Sequence, residues 1–265
     1  MNRKAWKAVA LPLLVLLLSS FTLLLLEDKK PTLYIIGDST VRNGDGAGKG
    51  SLWGWGSIIG KFFDTSRISV RNHAIGGRSS RTFITEGRWE TILKDLKPGD
   101  YVLIQFGHND GGALDDTARA RGTIKGTGEE VKDIYNPIRK VPETVHTYGW
   151  YMRKYVDEAK AKGAIAVICS PVPRNIFKEG KVERADSNYG KWAAETAVTT
   201  GAYFIPLNTI IADEYETLGP DQVKAFFPGD HTHTNEAGAA LNARAVVKGL
   251  RQLNGCALAG FLAAQ

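Results

Sequence analysis

Short apolar runs alternate with amphipathic stretches along most of this chain. Leu33-Tyr34-Ile35-Ile36, the run from Tyr101 to Phe106, the run from Ala164 to Cys169 and Tyr203-Phe204-Ile205 are each bounded by glycine, proline or polar residues. Such runs read as strands buried on both faces. Ile68 to Asn72 is a weaker strand of the same kind. Between the runs, apolar residues recur near helical spacing over Trp55 to Phe63, Trp89 to Leu96, Tyr148 to Lys160, Tyr189 to Thr199 and Ala237 to Leu253. Buried strands separated by helices predict an α/β fold, a three-layer α/β/α sandwich with a mainly parallel central sheet. Ligands of such sheets collect at the carboxyl ends of the strands. Ser39 and Asn109 each follow a strand by a few residues, so both belong to that rim. The polar stretch from Gly111 to Pro142 breaks the rhythm. A loop this long reads as the wall of a surface groove, with a disordered insertion as the alternative.

The first residues change the picture of where the chain works. Arg3, Lys4 and Lys7 precede an uncharged run from Ala8 to Leu26, and charge returns with Glu27-Asp28-Lys29-Lys30. This is the layout of a secretory leader. The length of the run and the lack of a small-residue cleavage site keep an uncleaved membrane anchor open. The expected organisation is therefore a signal peptide or N-terminal anchor over 1–26, a linker over 27–31, one catalytic-size domain over 32–255 and a C-terminal tail over 256–265, in an exported protein. Membrane contact is expected only if the leader stays attached.

Charge and cysteine content then narrow the partners. The net charge is +6, from 34 basic and 28 acidic residues. Three of the basic residues lie in the leader, leaving 31 against 28, or +3. That balance permits an anionic partner without requiring one. No Lys/Arg tract is interleaved with aromatics, so nucleic acid is not an expected partner. Cys169 lies in an apolar run and reads as a core residue. Its pairing with Cys256 cannot be inferred from two cysteines, and no Cys/His spacing suggests a structural zinc.

Four segments carry the candidate chemistry: "GDST" with Ser39, "AIGGRSSRTF" from 74, "QFGHNDGG" from 105 and "FFPGDHTHTNEAGA" from 226. Each has a plain structural alternative. Ser39 suits a helix cap, Gly76-Gly77 a tight turn and Asn109 an Asx-turn. Asp230, His231 and His233 suit a metal set or a capping loop. Acyl transfer accounts for all four together. A serine hydroxyl needs a base to become a nucleophile, and histidine is suited to that near neutral pH. The histidine needs an acceptor for its second ring N–H, which Asp230 supplies three residues before His233. The oxyanion formed on attack needs preorganised donors, and the Ser39 N–H, the Gly77 N–H and the Asn109 amide supply them.

In that order, Ser39, Gly77, Asn109 and His233 resemble the four blocks of the SGNH (GDSL-like) hydrolases. "GWG" at 54–56, "EGRW", "GDYVLIQFGHNDGG", "YGWYMRKYVDEAKAKGA", "YETLG" and "FPGDHTHTNEAGA" are similar to the rhamnogalacturonan acetylesterase family of carbohydrate esterases, from Thr32 to Leu253. The resemblance implies a flavodoxin-like fold, a Ser39-His233-Asp230 triad, an oxyanion hole of Ser39, Gly77 and Asn109, and no cofactor or metal. It implies an acetylated polysaccharide or oligosaccharide substrate, most naturally rhamnogalacturonan, with xylan or another acetylated glycan as the rival and a non-catalytic carbohydrate-binding protein as a further one. Arg78, Arg81 and Arg121 are then candidate contacts for galacturonate carboxylates, with structural ion pairing as the alternative. His231 is a loop or substrate contact.

Overall fold

The computed structural model describes residues 30–46 and 48–264, and the leader, the anchor alternative and most of the linker lie outside them. Residues 31–264 form one compact unit. Among the described residues, no helix is long and apolar enough to cross a membrane.

The first strand β1 (Thr32–Gly37) is followed by β2 (Ser69–Asn72), helices α1 (Ser80–Thr85) and α2 (Arg88–Asp95), and β3 (Tyr101–Gln105). Strands β4 (Val131–Asn136) and β5 (Val141–His146) come next, then α3 (Tyr148–Ala161) and β6 (Ile165–Cys169). A small hairpin of β7 (Phe177–Lys178) and β8 (Lys181–Val182) precedes α4 (Tyr189–Thr200) and β9 (Tyr203–Ile205). Helices α5 (Leu207–Leu218), α6 (Pro220–Lys224) and α7 (Glu236–Arg251) complete the unit. The main sheet has the order β2-β1-β3-β6-β9, and every pair in it is parallel.

The strand pattern sorts the core into two layers. Leu33 and Ile35 of β1 point to one face with Tyr101, Leu103, Val167 and Cys169, where Trp55, α5 and α7 cover them. Tyr34 and Ile36 point to the other face with Val102, Ile104 and Ile168, covered by α1 to α4. Side chains alternate at a period of two, so a continuous apolar run feeds both layers. The three-layer α/β/α sandwich is therefore the observed fold, and Ile68 to Asn72 does supply an edge strand.

Three expectations are corrected. Trp55 to Phe63 is two 3-10 turns, Trp55–Ser57 and Ile59–Phe62, and not an α-helix. Its first amides are taken by the neighbouring loop, with Trp55 N–H donating to Thr40 O at 3.1 Å and Gly56 N–H to Val41 O at 2.9 Å. The 111–142 stretch is not one continuous loop, because 131–136 enters the antiparallel β4–β5 hairpin. That hairpin stands largely in solvent, so no buried face imposed a strong alternation. Of the expected tail over 256–265, the described residues 256–264 are packed on the domain and not free. Leu258 is fully buried in the core, and Phe63 bridges to Leu262. Helices α1, α5 and the short α6 add to the expected set. Leu207, Ile210, Ile211 and Leu218 of α5 did carry helical spacing, and α1 is opened by a Ser79–Thr82 capping box. Cys169 and Cys256 are both free and buried.

Candidate active site

The carboxyl end of β1 makes a turn and not a helix. Val41 and Arg42 N–H both donate to Asp38 O, at 3.1 and 3.0 Å. Asp38 Oδ1 accepts from Thr40 N at 2.9 Å and from Thr40 Oγ1 at 2.7 Å. The side chain that organises the turn is thus Asp38, and the helix-cap alternative for Ser39 falls away. Behind the turn, Gln105 Nε2 donates to Thr40 Oγ1 at 2.7 Å and Trp55 Nε1 donates to Gln105 Oε1 at 2.8 Å. All four side chains of this chain are buried, so Ser39 projects from a rigid base. Burial works against ionisation of Asp38, but the charge and hydrogen bond of His108, with the two donors of Thr40, hold its carboxyl below the ordinary range.

The 74–78 loop prolongs the edge of β1. His73 N–H donates to Ile35 O at 2.8 Å and Ile75 N–H to Gly37 O at 3.0 Å. This brings Gly76 and Gly77 beside Ser39. Gly77 has φ +79°, a left-handed conformation that a side chain would strain. Arg121 Nη1 donates to Gly77 O at 3.0 Å and fixes that peptide from the other side. Among the described residues, neither the Ser39 nor the Gly77 N–H donates to a protein acceptor. Asn109, just past β3, is buried, and its Nδ2 donates to Arg78 O at 2.9 Å. The second hydrogen on that nitrogen stays available.

The loop before α7 brings the histidine and its acid. Asp230 Oδ1 accepts from Thr232 N at 2.6 Å and His233 N at 2.8 Å. Its Oδ2 lies 2.7 Å from His233 Nδ1, and His233 Nε2 lies 2.9 Å from Ser39 Oγ. Partial burial opposes the charge on Asp230, but the His233 ring and the two backbone donors outweigh it and bring its pKa to about 2. An ionised Asp230 accepts the Nδ1 proton, which leaves Nε2 free to take the serine proton. Ser39, Gly77, Asn109 and His233 all line one cavity of about 420 Å³.

The remaining candidates separate. Arg81 is corrected as a substrate contact: it is fully buried and its Nε pairs with Glu143 at 2.6 Å. Arg78 is spent on Glu86, at 3.0 Å, and on Gly76 O, at 3.0 Å, so it too is structural. Arg121 lines the cavity. His231 sits apart from the relay, its Nε2 3.3 Å from Arg174 Nη1. Asp230, His231 and His233 do not converge, and no group of three or more His, Cys, Asp or Glu among the described residues is arranged to hold a metal. Arg119, Arg174 and His108 also line the cavity and were missed from sequence. Arg174 had a signal, because it closes the "PVPR" run at the carboxyl end of β6.

The profile of the GDSL-like Lipase/Acylhydrolase family matches residues 35–241, well over half of the chain. The chain belongs to that family. As an acylhydrolase of the SGNH type it is a carboxylic ester hydrolase. It is 36% identical over 218 residues to the rhamnogalacturonan acetylesterase of Emericella nidulans, covering 82% of this chain and 83% of that protein. It is 30% identical over 227 residues to the probable rhamnogalacturonan acetylesterase YesY of Bacillus subtilis, covering 83% and 93%. Among solved structures, protein YxiM of Bacillus subtilis superposes with a TM-score of 0.68 at 28% identity. That match covers 84% of this acylhydrolase and only 57% of YxiM. The acetylxylan esterase Axe2 of Geobacillus stearothermophilus gives a TM-score of 0.55 at 19% identity, over 82% and 93% of the two chains, and attests the fold alone.

Proposed function

We propose that this acylhydrolase removes O-acetyl groups from an acidic pectic glycan, rhamnogalacturonan, through a covalent acetyl-enzyme. Ser39 Oγ attacks the acetyl carbonyl as His233 Nε2 takes its proton. The oxyanion is received by the Ser39 and Gly77 N–H groups and the Asn109 amide. His233 then gives the proton to the departing sugar hydroxyl. Water, deprotonated by the same nitrogen, releases acetate. Asp230 keeps the imidazole in the required tautomer throughout.

One observation carries the acidic substrate. Arg119, Arg121 and Arg174 line the Ser39 cavity, no aspartate or glutamate does, and none of the three has a carboxylate within ion-pair distance among the described residues. Arg119 also lies close enough to Arg121 to disfavour its charge, after the larger effect of burial. Asp110, Asp38 and Asp116 act on Arg121 in the opposite sense, but none of them lines the cavity. Guanidinium groups side by side with no carboxylate in direct contact favour a carboxylate ligand. Uronate residues provide one, and a neutral xylan backbone does not. His231 is a secondary contact in this reading, supported by its Nε2 lying 3.3 Å from Arg174 Nη1. The basic-then-apolar start of the sequence supports an exported enzyme, since its polymer lies outside the cell.

The test compares acetate release from acetylated rhamnogalacturonan oligosaccharides and from acetylxylan. A clear preference in kcat/KM for the former is expected, shrinking at high salt as the guanidinium groups are screened. Equal or better turnover of acetylxylan would overturn the pectic reading. Ser39→Ala in a folded protein is expected to abolish acetate release from both and to stop labelling by a fluorophosphonate.

A further inference from the structure

Asp38 and His108 are absorbed by neither the relay nor the oxyanion donors, yet each is the immediate neighbour of one of those groups. Asp38 precedes Ser39 and His108 precedes Asn109. Asp38 is fully buried, and the His108 side chain is 6% exposed. With Oδ1 of Asp38 taken by Thr40, Oδ2 faces His108 Nδ1 at 3.3 Å. The other ring nitrogen, Nε2, lies 2.9 Å from the Val172 carbonyl oxygen.

The proton count of this pair follows from what each atom can do. A carbonyl oxygen only accepts, so Nε2 carries a hydrogen. For Nδ1 and Oδ2 to attract, a second proton must lie between them. Without it a ring lone pair faces a carboxylate in a buried space, at the full cost of an unpaired charge. The pair therefore holds two protons and is neutral as a unit. Other titratable groups surround it from each packed element. Asp110 comes from its own loop, Arg121 from the 111–122 loop and Tyr148 from α3. Arg174, Glu183 and Arg184 from the segment after β6 and Tyr189 from α4 line one cavity with His108, and His233 lines another with it.

We infer that His108 is a positioning residue for ester hydrolysis, which ties the Ser39, Asn109 and Val172 loops together and cancels the buried Asp38 charge behind the oxyanion pocket. The inference rests on the roles given above to Ser39 and Asn109. A bare carboxylate one residue from the Ser39 N–H would oppose the oxyanion in the transition state and leave ester binding unaffected, so the effect falls on kcat. The same contact holds the Ser39 and Asn109 donors at one separation, and misplacing such groups costs rate steeply.

The experiment uses an aryl acetate, which removes any dependence on the glycan. His108→Gln is expected to lower kcat about 100-fold with KM nearly unchanged. Asp38→Asn alone is expected to stay within a few-fold of wild type, because the amide donates to a neutral Nδ1. The double variant Asp38→Asn/His108→Gln is expected to recover at least a tenth of the lost activity, since the unbalanced charge is gone. A structural defect would instead worsen with the second substitution. Nitrogen-15 spectra of the unmodified enzyme are expected to show hydrogens associated with both His108 ring nitrogens, which tests the proton count without any variant. Wild-type kcat in His108→Gln, a loss confined to KM, absence of recovery in the double variant, or an unprotonated Nδ1 that no Asp38 proton reaches would each overturn the inference. An active Ser39→Ala would sink the nucleophile reading instead, whatever His108→Gln does.

Discussion

Replacing Arg81 by methionine removes a guanidinium that has no solvent contact at all. Its Nε pairs with Glu143 at 2.6 Å, and its Nη1 donates to Leu114 O at 2.9 Å and Gly122 O at 2.8 Å. The substitution leaves Glu143, itself 7% exposed, with Asn136 Nδ2 at 2.6 Å and a distant Arg139 at 3.8 Å. Breaking a buried pair from one side costs about 3–5 kcal/mol, because the remaining charge stays buried. The surviving Asn136 contact argues for the lower end, about 3 kcal/mol. In a domain of this size each kcal/mol moves Tm by about 2–4 °C, so Tm falls by about 6–12 °C. Urea unfolding at neutral pH gives the free energy directly. Adding Glu143→Gln removes the stranded charge and is expected to restore about half of the loss. A cost below about 1 kcal/mol for Arg81→Met, or a double variant no more stable than the single one, would refute this account.

Two further expectations concern carboxylates with opposite shifts. Asp110 is fully buried, and burial, opposed by the two Ser80 donors, pushes its pKa up to about 7. A raised acid binds its proton more tightly when folded, so its contribution is fully present below the ordinary carboxylate range and is lost as pH rises through about 7. Urea unfolding should show up to about 4 kcal/mol of stability declining between pH 4 and 7, and Asp110→Asn should flatten that slope; parallel curves would contradict it. Asp230 is the reverse case: its pKa is about 2, so its ion pair is present above the ordinary range and is lost only as pH falls toward 2. An acid limb of activity measured between pH 4 and 7 is therefore expected not to move in a variant that changes only the Asp230 charge. Asp230→Asn should cost kcat on the order of 10³–10⁴ by releasing the His233 tautomer, measured with an aryl acetate, and a loss below tenfold would count against the relay.

The layers were legible because burial wrote them into the strands. Residues 33–36 and 101–106 alternate their side chains between two cores, and a run that feeds both has to be apolar throughout. The relay was legible for a different reason: Asp230 and His233 lie three residues apart, so half of it is local. What stayed hidden depended on partners far along the chain. Arg81 looked like a ligand for uronate because the carboxylate that claims it is not the nearby Glu86, which pairs with Arg78 and Arg88, but Glu143, 62 residues away. Arg119 sits in a stretch whose pattern predicted only polarity. His108 lay inside a segment already singled out, but its two acceptors, Asp38 and Val172, come from different strand ends. Ser39 was ambiguous in isolation, since a strand ending on "GDST" suits a cap as well as a nucleophile. The turn settled that point by using Asp38, and not Ser39, as the group that binds backbone donors.

The same local-versus-distant contrast explains a segment with no chemistry of its own. Ser39 and His233 are 194 residues apart in sequence and must meet within hydrogen-bond reach. The sheet fixes Ser39, and the Asn235 cap, whose Oδ1 accepts from Gly238 N at 3.0 Å, starts α7 just after His233. Neither sets the distance between them. Residues 53–56 do. On one side, Trp53 N–H donates to Thr234 O at 2.7 Å and Thr234 Oγ1 donates to Trp53 O at 3.1 Å. On the other, the Trp55 and Gly56 amides bind Thr40 O and Val41 O. The strip thus spans from the residue after Ser39 to the residue after His233. Gly54 lies at its narrowest point, where a Cβ would sit 2.2 Å from the Val41 carbonyl carbon. Any side chain there forces the two loops apart, and with them the serine and its base. Trp55 then locks the strip to Gln105, Thr40 and Asp38 beneath. The "GWG" triplet acts as a spacer, and its glycines and tryptophan are explained by the reach of one hydrogen bond in the relay.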